Sequence, residues 1–161
     1  MAIDKVRQYF KQWNIEDRIM EKEVSSATVE LAAEAVGCIP ARIAKSLSFK
    51  IGDEPILVVT AGDTKVDNKK YKGKFKVKAK MLDPDEVKEM IGHSVGGVCP
   101  FGIKPEVKVY LDESMKRFET VFPACGSNNS MIELTCEELE KFSCSKEWID
   151  VCKLVGSQQY R

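Results

Sequence analysis

The sequence predicts an α/β protein of the α+β kind, a mixed, barrel-like β-sheet surrounded by helices. Three observations point there. Helical and strand periodicities are interspersed along the chain rather than segregated. Several consecutive strands are joined by links too short for a crossover helix, so they pair antiparallel. Ile56-Leu-Val-Val-Thr60 is apolar almost throughout, as in a strand covered on both faces, whereas other stretches alternate.

Taken in order, Ile3, Val6, Phe10 and Trp13 share one helical face and predict an amphipathic helix over residues 3–13. Residues 18–24 read as a short strand. Ser25 and Ser26 are cap residues ahead of a helix over 27–36, rich in alanine and glutamate, which Gly37 stops. Pro40 opens a turn that delivers the chain to Ala41-Arg-Ile-Ala-Lys-Ser-Leu-Ser-Phe-Lys-Ile51, an alternating stretch. Gly52-Asp-Glu-Pro55 turns that strand back into residues 56–60, giving a hairpin. A short helix over 67–72 ends at Gly73. Residues 74–81 then alternate as a strand would, with Phe75, Val77, Ala79 and Met81 opposite Lys74, Lys76, Lys78 and Lys80. Asp83-Pro-Asp-Glu86 starts a helix running to about Ile91. A glycine-rich loop follows, from Gly92 to Gly102. Strands over 107–111 and 118–122 flank a helical turn near Glu113. Beyond a tight turn at 124–130, residues 131–134 form a strand, and Thr135 with Glu138 makes a capping box for a helix through Phe142. Residues 148–154 add an edge strand, and Val155 to Arg161 reads as frayed.

A chain of 161 residues suffices for one domain, 1–161, with a real core. The 25 basic side chains cancel the 25 acidic ones, so nucleic-acid binding would need a local patch rather than a global field. Such a patch exists: Lys69, Lys70, Lys72, Lys74, Lys76, Lys78 and Lys80 cluster around Tyr71 and Phe75. It serves either as a solvated face that blunts a sheet edge or as a docking surface for a polyanion. No apolar run approaches the roughly 20 residues of a membrane span, and the N-terminus does not read as a signal peptide. A cytoplasmic protein is expected. Six scattered cysteines without a C-x-x-C pair, beside a single histidine, give no structural zinc pattern. Neither metal nor cofactor is expected.

Lys45 is the anomaly of the central stretch, because it sits at the alternate positions otherwise held by Ile43, Leu47, Phe49 and Ile51. If the strand runs through it, an ammonium is aimed at the inner face of the sheet. Burying an unpaired charge costs several kcal/mol, so it would need a partner, a wet cleft or a ligand. If the strand begins only at Ser46, Lys45 belongs to the preceding turn. Periodicity leaves both open. Gly96-Gly-Val-Cys-Pro100 frees the backbone at one end and fixes it at the other, which suits either a structural turn or a set of N–H donors for an oxyanion. The loop from Ala124 through Gly126, Ser127 and Asn128 reads as a hairpin turn or a second site loop. Cys99 and Cys125 invite a nucleophile reading with His93 as base, but no motif places His93 beside either thiol.

Ile43-Ala-Lys-Ser-Leu-Ser-Phe49, Gly96-Gly-Val-Cys-Pro-Phe-Gly102 and the stretch from Gly126 through Ile132-Glu-Leu134 together resemble the YbaK/ProX group, the prolyl-tRNA synthetase-associated editing domains. The order and spacing match over a core of about 24–142. The resemblance implies a barrel-like mixed sheet among helices, and hydrolysis of the ester joining a wrong amino acid to tRNA. On that reading the catalytic set is Lys45 with the loop Gly96, Gly97, Val98, Cys99 and Pro100. Ser46, His93, Phe101, Gly126, Ser127 and Asn128 contact the substrate, and Lys69, Lys70, Lys72 and Lys74 dock the tRNA. The implied partners are an aminoacyl-tRNA, with tRNA-Pro foremost, and prolyl-tRNA synthetase. A binding module for a tRNA end or a small molecule, without catalysis, is the alternative. Two departures matter: Cys99 stands where many relatives carry serine or threonine, and Ser127-Asn128-Asn129 lacks the histidine of the alanine-specific relatives. Alanine specificity therefore does not carry over.

Overall fold

The computed structural model describes residues 2–155; of the tail expected to fray, Val155 to Arg161, all but Val155 lies outside them. Five α-helical segments are α1 (Ala2–Phe10), α2 (Val29–Val36), α3 (Asn68–Phe75), α4 (Pro84–Glu86) and α5 (Cys136–Ser143). The strands are β1 (Met20–Glu21), β2 (Ile43–Ile51), β3 (Glu54–Ala61), β4 (Thr64–Val66), β5 (Lys108–Asp112), β6 (Thr120–Pro123), β7 (Ser130–Met131), β8 (Leu134–Thr135), β9 (Glu147–Ile149) and β10 (Cys152–Leu154). Six of them form one mixed sheet in the order β8-β6-β2-β3-β5-β9, curled into a half-barrel, and β1–β7 and β4–β10 make two small antiparallel ribbons. No helix among the described residues is long and apolar enough to cross a membrane.

The β2–β3 hairpin is the centre of the sheet. Its register sets Lys45 opposite Thr60 and Leu47 opposite Val58, so β2 runs through Lys45 and the turn reading is excluded. β3 is buried from Pro55 to Ala61, because helices and loops cover both of its faces. Leu57, Val59 and Ala61 pack with Phe10, Phe101, Leu111 and Leu134 on one side. Ile56 and Val58 pack with Phe49, Tyr71 and Ile149 on the other. A third cluster joins Ala32 and Ala33 of α2 to Ile43, Phe122 and Met131.

Four expected elements change. Thr28, not Ser25 or Ser26, caps α2, its hydroxyl accepting from the Leu31 N–H at 3.2 Å. Ser26 cannot enter that helix because its N–H donates to Asn128 O at 2.5 Å, holding the segment extended. Residues 74–81 are not a strand. Asp67 caps α3 through the N–H groups of Lys69 and Lys70, and the helix runs past Gly73, burying Tyr71 and half-burying Phe75 one turn later. The Phe75 ring meets those of Tyr71 and Tyr110 at 4.7 and 5.1 Å. Only the end of the stretch joins the sheet, where Lys50 N–H donates to Lys80 O and Leu82 N–H to Ser48 O. The strand expected at 131–134 splits into β7 and β8. That expected at 148–154 splits into β9 and β10, separated where the buried carboxylate of Asp112 accepts the Val151 N–H at 3.0 Å.

Candidate active site

A cavity of about 270 Å³ opens beside β2. Residues 44–48 of β2 line it, together with the start of α2 around Ala27 and Val29, the loop residues Gly96 and Val98, and the half-exposed Met81. Most of that lining is apolar. The volume lies below the usual range for drug-sized ligands, which favours a compact guest.

Lys45 supplies the charge. Its Nζ donates to the Thr64 carbonyl, the ammonium forms no ion pair among the described residues, and the side chain is half-buried. Burial pulls its pKa below the ordinary lysine value, and the nearby Cys152, Asp63 and Glu30 only partly offset that. One N–H of the ammonium is spent on Thr64 O, which leaves two for a ligand. The hydroxyls of Ser26 and Ser46, both on cavity-lining residues, are buried without a protein partner.

The loop from Ser94 to Phe101 stands across the cavity. Gly96 adopts φ +97, which a side chain would strain, and a Cβ there would touch Ala27 and Asn128 at 3.6 Å. Gly97 N–H is committed to Ser94 O at 3.0 Å. The N–H groups of Gly96 and Val98, both on the cavity lining, have no backbone acceptor among the described residues, so they are the loop donors open to a ligand. Gly97 itself faces the other way, against Gly126 and Ser127.

Of the residues singled out from sequence, Lys45, Ser46, Gly96 and Val98 line the cavity; the rest of the set does not. Gly126, Ser127 and Asn128 form the layer behind Gly97, with Ser127 Oγ on Ser130 Oγ at 2.6 Å and Asn128 O on Ser26 N–H. Cys99, Phe101 and His93 are buried in the core. The fold does bring His93 beside a thiol, at 3.4 Å from Cys99 Sγ, which sequence did not show. The pair is not an activated nucleophile. His93 Nε2 lies 2.9 Å from Phe101 O, which can only accept, so that nitrogen carries the proton and cannot take one from sulfur. Burial lowers the His93 pKa and pushes the Cys99 thiol up to about 12. Lys69, Lys70, Lys72 and Lys74 lie on α3, away from the cavity lining. The tract continues through Lys78 and Lys80 to Met81 at the cavity.

An ammonium with no ion pair among the described residues, on a small apolar cavity that Gly96 and Val98 also line, suits a compact ligand carrying or developing negative charge. The chain belongs to the aminoacyl-tRNA editing domain family, whose model matches residues 23–142. It is 60% identical over 154 residues to YwhH of Bacillus subtilis (strain 168), covering 95% of this chain and 98% of that one. EbsC of Enterococcus faecalis (strain ATCC 700802 / V583), named as a candidate Cys-tRNA(Pro)/Cys-tRNA(Cys) deacylase, is 29% identical over 115 residues, 70% of each chain. Among solved structures, a candidate trans-editing enzyme for prolyl tRNA synthetase superposes with a TM-score of 0.85 at 25% identity, over 94% of this chain and 97% of that one.

Proposed function

We propose that this protein is a trans-acting aminoacyl-tRNA deacylase. It hydrolyses the ester of a tRNA charged with the wrong amino acid, tRNA-Pro being the first candidate, in the cytoplasm. The observation that carries the reading is the Lys45 ammonium, half-buried without a carboxylate partner among the described residues, at the wall of a cavity of about 270 Å³. Family membership and the resemblance to named deacylases support the same reaction class. The whole chain acts as one domain built around the family core.

The need is physical. A synthetase pocket gains only about 1–3 kcal/mol from rejecting a side chain smaller by one methylene, so small errors pass. A second pocket that admits only small aminoacyl groups removes them. Here the ester carbonyl would lie between Lys45 and the free N–H groups of Gly96 and Val98, in a loop whose shape Gly97, Cys99 and Pro100 fix. Those N–H groups, with the ammonium, would stabilise the oxyanion as the tetrahedral intermediate forms. Attack comes from water or a hydroxyl of the substrate, with no acyl-enzyme, in keeping with the protonated, buried Cys99. Ser46 borders the aminoacyl group. His93, Phe101, Gly126, Ser127 and Asn128 hold the loop in place from behind. Lys69, Lys72, Lys78 and Lys80 guide the acceptor stem, and prolyl-tRNA synthetase is the enzyme whose errors are cleared.

The test is a panel of tRNA-Pro species charged with alanine, cysteine, serine or proline, incubated with the protein. Release of at least one wrong amino acid, with Pro-tRNA spared, is expected. If every ester decays only at the buffer rate, the catalytic reading fails and a binding module remains.

A further inference from the structure

We propose that Thr60, Thr64 and Ser114 are positioning residues that fix the Lys45 ammonium at the cavity wall. The proposal builds on the deacylase reading of the Lys45 site.

The three hydroxyls have defined directions. Thr64 Oγ1 donates to Ala61 O at 2.9 Å, which spends its proton. Its 2.7 Å contact with Thr60 Oγ1 must then be donated by Thr60. With that proton spent, the 3.1 Å contact between Thr60 and Ser114 is donated by Ser114. Ser114 Oγ in turn accepts the Ala61 N–H at 3.2 Å. The circuit thus leaves the N–H of Ala61 and returns to its carbonyl, each hydroxyl giving one proton and taking another. It closes the turn from Ala61 to Thr64, and the carbonyl of Thr64 is the acceptor that holds Lys45 Nζ.

Thr60 and Thr64 are 0% and 1% exposed, so water cannot replace a broken bond. Ser114 is itself fixed, its N–H donating to Asp112 Oδ2 at 3.0 Å while Asp112 Oδ1 holds Val151 N–H. In β3 Thr60 also sits directly across from Lys45. The lysine is therefore placed by the turn after β3 and by residues that follow β5, none of which lines the cavity. A reacting group misplaced by about 1 Å can lose about a hundredfold in rate.

The experiment compares wild type with Thr64→Val, which deletes the hydroxyl, Thr64→Ser, which keeps it, and Ser114→Ala. Two readouts are taken: kcat and KM for deacylation, and the titration of Lys45 by 13C NMR of labelled lysine. The titratable groups facing Lys45 are Cys152 of β10, Asp63 of the turn and Glu30 of α2, and none is altered. Thr64→Val is expected to lower kcat by between about ten- and a hundredfold with KM within about twofold. Lys45 should titrate closer to the free lysine value of about 10.4, because a released ammonium regains solvent. Thr64→Ser should restore both. Wild-type kcat and titration in Thr64→Val, or a defect that Thr64→Ser does not restore, overturns the proposal. If Thr64→Val does not fold, Ser114→Ala carries the same comparison from a half-buried position. Should no ester be hydrolysed at all, the deacylase reading fails, while the NMR titration still decides the positioning role.

Discussion

A Cβ added to Gly97 would stand 2.7 Å from the carbonyl carbon of Gly126 and 2.6 Å from Ser127 N, so the cavity loop and the loop behind it touch backbone to backbone. Gly126 is held as tightly on its far side, with φ +92 and a hypothetical Cβ 2.9 Å from Ala2 O. Neither neighbour is a flexible side chain that could swing away. Gly97→Ala must push the loops apart, at a cost of about 1–3 kcal/mol, and it tilts the N–H groups of Gly96 and Val98. Thermal unfolding and deacylation should both suffer. Gly73→Ala is the control: it lies within α3 with nothing within 4 Å of its would-be Cβ, and should stabilise by about 0.5–1 kcal/mol without touching activity.

That contact joins two motifs whose sequence spacing gives no hint of their stacking. What sequence made legible was local. The alternation around Lys45 and the Gly52 turn define the β2–β3 hairpin, and the capping boxes at Asp83 and Thr135 start helices where expected. Residues 74–81 misled because alternation of lysine with apolar residues looks like a strand, whereas Tyr71 and Phe75 at helical spacing find a shared aromatic pocket with Phe49 and Tyr110. The His93–Cys99 contact and the Thr60–Thr64–Ser114 circuit depend on loop paths that no periodicity encodes. Thr60 was nevertheless within reach, since the hairpin register alone sets it opposite Lys45.

The pH dependence of deacylation follows from Lys45. Burial lowers its pKa, and a lysine is charged only below its pKa, so the ammonium is lost as pH rises before an exposed lysine would titrate. Activity corrected for spontaneous ester hydrolysis should fall on the alkaline side before pH reaches about 10.4. A profile flat to that point would show that Lys45 is not the group being titrated.

The lysine tract divides by partner. Lys70 pairs with Asp150 at 3.0 Å and Lys74 with Glu147, so both serve the fold. Lys69, Lys72, Lys78 and Lys80 are exposed and form no ion pair among the described residues. Replacing those four by alanine should raise KM for tRNA and flatten its salt dependence, by about 0.7–0.9 in log–log slope for each phosphate no longer neutralised. An unchanged KM would assign the tract to solubility alone.

Acid stability tests the packing of α5. Arg18 grips Glu138 at 2.7 and 3.1 Å, and the Thr135 N–H adds to it, holding that carboxyl at about 2. Its folded pKa is depressed, so the contribution is complete above the unfolded value of about 4.3 and disappears as pH falls through about 2. The Arg18 and Glu138 side chains are 41% and 31% exposed, which limits the effect to roughly 1 kcal/mol. Glu138→Gln should therefore unfold more readily than wild type at neutral pH and equally at pH about 2. A gap that persists in acid would mean impaired packing rather than a missing charge.

The most direct measurement is single-turnover hydrolysis of a misacylated tRNA-Pro by wild type and by Lys45→Ala at equal, saturating protein. Among the described residues the Lys45 side chain makes one hydrogen bond, to Thr64 O, so its removal should leave the fold intact, and circular dichroism can verify this. Loss of one charged stabiliser of the oxyanion should slow release by at least about a hundredfold. Release by Lys45→Ala at the wild-type rate would contradict the assignment of this cavity as the site of ester hydrolysis.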